Sequence, residues 1–146
     1  MNSKETEDKI SLRELVDSIS ILADKKDVHA QVQLFSENAT SETYVNGKPF
    51  LKLKGRIEME KGFAKFLKNV EIVYHFNGQQ QVTIQGNSAT GTCYCLITMI
   101  GTEDGKKIQT TIGAVYQDTY IRENNRWLIN ERIGNFEWQE KHKINP

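Results

Sequence analysis

The sequence carries no excess of charge of either sign: 19 Lys and Arg balance 19 Asp and Glu. Proteins that hold nucleic acid or an anionic membrane usually show a basic surplus, so neither partner is expected. The chain also lacks any run near the roughly 20 apolar residues that cross a bilayer. Its opening, MNSKETEDKISL, is polar and mixed in charge, without the apolar stretch of a secretion signal. The expected compartment is therefore the cytoplasm. Cysteine is scarce, with only Cys93 and Cys95. Two thiols fall short of a four-ligand zinc site. Two apart on a strand, they would stand roughly 6.5–7 Å apart, the upper limit for a disulfide. Both are read as reduced, buried, small hydrophobes.

What is present fits one soluble domain. The 146 residues are enough for a core without staples, and 38% hydrophobic with 26% charged is a globular balance. There is no repeat, low-complexity tract or linker. The domain is expected over 10–140, with flexible tails at 1–9 and 141–146.

Hydrophobic spacing divides the chain in two. Leu12, Leu15, Val16, Ile19, Leu22 and Ala23 recur at helical intervals and predict a helix over 11–23. SLRE reads as its capping box, with Ser11 and Glu14 as partners. A second helix is expected after Asp27, with Val28, Val32 and Phe35 on one face. YVNGKPF reads as a turn or short hairpin with Asn46-Gly47 at its tip. A third helix is expected over 56–68, weakened by Gly62. From Asn69 the period becomes two. VEIVYHF, QQVTIQ, ATGTCYCLITMI, KIQTTIGAVYQDTYIRE and RWLINERIGNFEWQ predict five strands, parted by Gly86-Asn87, Asp104-Gly105 and Asn124-Asn125. Helices first and long curling strands after indicate α+β, with the helices on one face of an antiparallel sheet.

Four stretches, in this order, resemble the SnoaL-like, or nuclear transport factor 2-like, superfamily. They are LADKKDVHAQVQLFSENAT, KGRIEMEKGFAKFLKN (loosely), YHFNGQQQVTIQGNSATGTCY and GAVYQDTYIRENNRWLI. The subgroup they most resemble is that of scytalone dehydratase and the bile-acid dehydratases. The resemblance implies a cone: a strongly curved antiparallel sheet whose mouth is closed by three N-terminal helices over a deep pocket. It also implies a catalytic pair, an Asp after the first helix and a His on the first long strand, here Asp24 and His75. An imidazole beside a carboxylate is oriented and made more basic. It can take a proton from a carbon next to a carbonyl, or deliver one to a leaving hydroxyl. Dehydration and isomerisation of cyclic ketones need this pair and neither metal nor organic cofactor. Three further positions depart from the subgroup. Apolar residues near Ile19 replace a tyrosine, Ile97 replaces a second acid, and Phe136 stands where an arginine is expected, with Arg132 close by.

Strand alternation extends the expected pocket. With His75 inward, Val73 and Asn77 share its side; with Ile97 inward, Gly91, Cys93, Cys95 and Met99 do too. Ala114, Tyr116, Asp118 and Tyr120 share one face, which could be either. Tyr116 and Phe136 join the expected substrate-binding set. Such a lining suits a small hydrophobic ring molecule. Bland readings stand beside these. Asp24 can simply end a helix, and His75 can be a core or interface histidine. His29 and His142 read as surface, Asp118 as structural, Trp127 and Trp138 as core or interface aromatics. The chain is then either a dehydratase or isomerase, or a non-catalytic module that binds a small ligand or dimerises. A homodimer through the sheet's convex back is expected in either case.

Overall fold

A computed structural model describes residues 2–145. Its elements run α1 (Ser3–Asp24), α2 (Val28–Val32), β1 (Phe35–Val45), β2 (Lys48–Lys54), α3 (Arg56–Leu67), β3 (Ile72–Gln85), β4 (Ser88–Glu103), β5 (Lys106–Glu123) and β6 (Arg126–Lys143). The architecture is α+β: three helices against the inner face of one open, curved sheet ordered β2-β1-β6-β5-β4-β3.

Helix α1 buries the expected stripe of Leu12, Leu15, Val16, Ile19 and Ala23. It starts at Ser3, not Ser11. Asn2 is the cap, accepting from the Glu5 N–H at 2.8 Å, so the Ser11–Glu14 box lies inside the helix and the expected 1–9 tail is helical from Ser3. Tertiary contacts hold these early turns. Buried Asp8 accepts from the Arg122 guanidinium and from the Trp127 indole at 3.2 Å. Helix α2 is shorter than expected, and Phe35 opens β1 instead of ending a helical face, although it remains buried. Helix α3 falls almost where its spacing predicts. Gly62 belongs there because α3 lies directly on β2: a Cβ would stand 2.6 Å from Leu53 Cδ1. That contact outweighs the roughly 1 kcal/mol a helical glycine costs.

The sheet corrects the expectation of a wholly antiparallel one. β1 and β6 pair in parallel, and every other neighbouring pair is antiparallel. The chain leaves the β1–β2 hairpin through α3, starts again at the far edge with β3, and meanders back until β6 meets β1 running the same way. VEIVYHF and QQVTIQ form the single strand β3, joined through an irregularity between Asn77 and Gln80. The short hairpin at 44–50 is the tip of two full strands. Asn46 and Gly47, Gly86, Asp104 and Gly105, and Asn124 and Asn125 all take positive φ, as two-residue hairpin turns require. Register shifts in β1, β3 and along β5–β6 add local twist to already long strands, and the sheet curls.

Helix α1 covers the free edge of β3. Arg13 donates to the Gly78 and Asn77 carbonyls at 2.6 and 3.1 Å, and Lys26 donates to those of Val70 and Glu71. An edge strand presents unpaired backbone groups; here Arg13 of α1 takes two of them, and Lys26, just past the helix, takes two carbonyls of the segment before β3.

Candidate active site

Asp24 is the last residue of α1. A carboxylate there opposes the helix dipole, so helix stability does not select it. What holds it is His75. As an edge strand, β3 leaves every second N–H without a ladder partner, and that of His75 donates to Asp24 Oδ1 at 3.0 Å and Oδ2 at 3.2 Å. The His75 ring lies alongside, with Nδ1 2.7 Å from Asp24 Oδ1. An ionised carboxylate only accepts, so Nδ1 carries a proton, and in the neutral ring Nε2 then keeps its lone pair. Both side chains are partly buried, 16% exposed for His75 and 26% for Asp24.

His75 borders an internal cavity between helices and sheet. Val73, Ile97, Met99, Tyr116 and Phe136 line it with His75, and Ile19, Phe35, Phe63 and Leu67 add an apolar wall. Four predicted pocket residues, Gly91 among them, do not line it. Asn77 faces inward but is used by α1: its Nδ2 donates to the Val16 carbonyl and to Asp17, and its Oδ1 accepts from Ser20. Cys93 and Cys95 are buried in the core and do not border the cavity. Burial pushes the Cys95 thiol up to about 12 and raises that of Cys93, which leaves both protonated and unreactive.

Of the polar groups of the cavity's walls, sequence reasoning named Tyr116 and noted Arg132 but passed over the rest. Arg132 borders it on β6, four residues before Phe136 and on the same face. Its guanidinium donates to both oxygens of Asp118 at 2.8 and 2.9 Å and lies 4.0 Å above the Tyr116 ring. Tyr120 donates to Asp118 at 3.2 Å, and Gln80 donates to the Tyr120 hydroxyl at 3.4 Å. The face shared by Tyr116, Asp118 and Tyr120 is thus the inner one. Burial works against the Arg132 charge, but Asp118 outweighs it and holds the guanidinium above its ordinary pKa. Burial also raises the Tyr116 phenol, against the pull of Arg132. The wall therefore carries a fixed positive charge and a neutral phenol. Ser20, Gln31, Ser41 and Thr43 complete its polar groups. Ser41 and Thr43 were hidden because their stretch gave no strand pattern. The Phe63 and Leu67 face of α3 was visible as an apolar stripe.

The curved sheet with three helices is the fold the four sequence stretches implied, with His75 at the wall of an apolar cavity and Asp24 bonded to its ring, and residues 4–133 match the SnoaL-like domain. The chain belongs to the SnoaL-like family. No curated protein matches it in sequence. Among solved structures, it is similar to a candidate scytalone dehydratase of Novosphingobium aromaticivorans, with a TM-score of 0.86 and 14% identity over 99% of this chain and 94% of that one. It is also similar to the hexachlorocyclohexane dehydrochlorinase of Novosphingobium barchaimii, with a TM-score of 0.78 and 17% identity over 97% of each chain. An NTF2-like protein with a cystatin-like fold, again from N. aromaticivorans, gives a TM-score of 0.72 and 25% identity over 91% and 84% of the two chains. The SnoaL-like chain shares their fold. Among its described residues, no helix is long and apolar enough to cross a membrane, and no three His, Cys, Asp or Glu side chains gather as metal ligands.

Proposed function

We propose that the protein is a cofactor-independent lyase or isomerase acting on a small hydrophobic ring compound, with His75 as general base and acid and Asp24 as its orienting partner. The observation that carries this reading is the clamp on His75. Asp24 fixes the ring through Nδ1, and His75 is among the residues that line an apolar cavity. In the proposed step, the Nε2 lone pair takes a proton from the carbon beside a ring carbonyl, and the C–H electron pair becomes an enolate. For a dehydration, that pair then expels a hydroxyl from the next carbon, which leaves as water with the proton returned from Nε2. For an isomerisation, the proton returns to a different carbon. Asp24 remains a carboxylate and stabilises the transient imidazolium. Arg132 stands on the same cavity wall with its charge paired to Asp118, so it adds a polar group there and not a free positive charge. Dehydration and dehydrochlorination, the reactions named for two of the structural neighbours, are both eliminations begun by loss of a proton.

The experiment is deuterium exchange into 6-hydroxy-2-tetralone in D2O, followed by NMR. The wild type should accelerate exchange at the carbon beside the carbonyl, and His75→Ala should remove the acceleration. A non-catalytic binder would use the same cavity but not Nε2, so exchange no faster than in buffer would favour the binding module.

A second reading, association of two copies, has its own support on the outer face of the sheet. Tyr74 and Phe76 are 68% and 74% exposed, and Tyr94, Leu96 and Trp138 about half. The register aligns Phe76, Leu96, Gly113 and Trp138 across four strands. The Trp138 indole lies flat over Gly113, where a Cβ would come within 2.0 Å of Nε1. A contiguous aromatic band of this kind on a sheet otherwise rich in Thr and Gln suits burial against a second copy.

A further inference from the structure

Gln31 Oε1 is buried without a hydrogen-bond partner, the one such side-chain atom among the described residues. Gln31 is 8% exposed and borders the cavity with Phe35, Phe63 and Leu67. Its main chain is satisfied: its N–H donates to the Asp27 carbonyl at 3.0 Å, and its own carbonyl accepts from Leu34 at 3.1 Å. Only the carboxamide is left over. Its neighbours in the sequence, Val28 and Val32, show what the inner face of α2 needs for packing, and a leucine would serve there. An orphaned buried amide costs stability. Three other polar side chains of the lining have partners: His75 Nδ1 has Asp24, Arg132 has Asp118, and the Ser20 hydroxyl has Asn77.

We infer that Gln31 is a specificity-determining residue that recognises a hydroxyl group on the ligand. This rests on the reading of the cavity as a small-molecule site and deepens it: the substrate class becomes a hydroxylated hydrophobic ring. A hydroxyl complements the carboxamide in either orientation, because it donates to Oε1 and accepts from Nε2, whereas a carbonyl serves only the second. Gln31 comes from the helical wall and His75 from the sheet wall. One ring molecule across the cavity would therefore set its hydroxyl against Gln31 and a reacting carbon toward His75. A site built around a ligand hydroxyl also rejects analogues that lack it, because they strand the buried acceptor.

The test compares 2-naphthol with 2-fluoronaphthalene, nearly the same shape without the donor, by fluorescence titration. The wild type should prefer 2-naphthol by about 10-fold, and Gln31→Leu should erase the preference by weakening 2-naphthol alone. Without ligand, Gln31→Leu should raise Tm by about 2–4 °C, since an orphan acceptor disappears. Absence of any naphthol preference in the wild type, binding of neither probe included, would overturn the inference. So would a preference that survives in Gln31→Leu, or a lowered Tm. His75→Ala should keep the preference. A preference without tetralone exchange therefore defeats only the catalytic reading, and exchange without a preference defeats only the role of Gln31.

Discussion

One carboxylate, that of Asp24, holds His75 twice, by its backbone N–H at 3.0 and 3.2 Å and by its ring Nδ1 at 2.7 Å. The end of α1 and the edge of β3 are joined at this point. The backbone bonds set where β3 lies against the helix, and the ring bond sets the rotamer and tautomer of the imidazole. A histidine that merely filled the core would not need a carboxylate placed against the dipole of its own helix.

The ion pair beneath the cavity should dominate local stability. Asp118 has a fully buried side chain, and Arg132 is its charge partner. Arg132→Met should cost about 3–5 kcal/mol in chemical denaturation by leaving that carboxylate buried and unpaired. Adding Asp118→Leu in the same chain should recover most of the loss. Additive losses in the double variant would show that packing, not charge pairing, holds this wall.

Both cysteines should be silent in the native protein. Burial keeps the Cys95 thiol near 12 and Cys93 raised, so native protein at pH 8 should not react with a disulfide exchange reagent, while denatured protein should titrate two thiols. Rapid native reaction at either position would contradict their burial in the core.

Asp8 ties acid stability to the first turns of α1. Burial pushes its carboxyl up, but the Trp127 and Arg122 hydrogen bonds and the Arg122 charge outweigh this and leave it below the ordinary value. A lowered folded-state pKa stabilises above the unfolded pKa, and the gain is lost as pH falls through the folded value. Asp8→Asn should therefore lower Tm at neutral pH and converge on the wild type as pH falls below the ordinary carboxylate range. A constant difference across that range would mean that the contribution of Asp8 is not ionic.

The aromatic band on the outer face should bring two copies together. Sedimentation at micromolar concentration should give twice the chain mass of 16.8 kDa, and Trp138→Lys with Leu96→Lys should give the monomer with its fold intact. A monomeric wild type would leave the band unexplained.

The fold was largely legible where its determinants are local. The hairpin tips and helix α3 follow from turn chemistry and apolar spacing; the resemblance placed His75, Ile97 and Phe136 at the pocket, and alternation extended that face to Val73 and Met99. What escaped depends on distant partners. The parallel pairing of β1 with β6 joins opposite ends of the chain, and nothing in the segment around Ser41 announces it. The start of α1 depends on Arg122 and Trp127, more than a hundred positions from Asp8. Alternation placed Asn77, Cys93 and Cys95 on the correct face but could not say which part of that face α1 would cover. Arg132 was noticed, yet its distance from the expected arginine position concealed that residues 132 and 136 share a strand face. The orphaned amide of Gln31 is a property of packing, and no sequence pattern reports a missing partner.

The central claim, that Asp24 fixes His75 as a base open to the cavity, is tested most directly by the tautomer of the ring. Nitrogen-15 correlation NMR on imidazole-labelled protein at neutral pH should show His75 protonated at Nδ1 and unprotonated at Nε2, and Asp24→Ala should scramble that preference. A neutral ring with its proton on Nε2, or one unaffected by Asp24→Ala, would contradict the account.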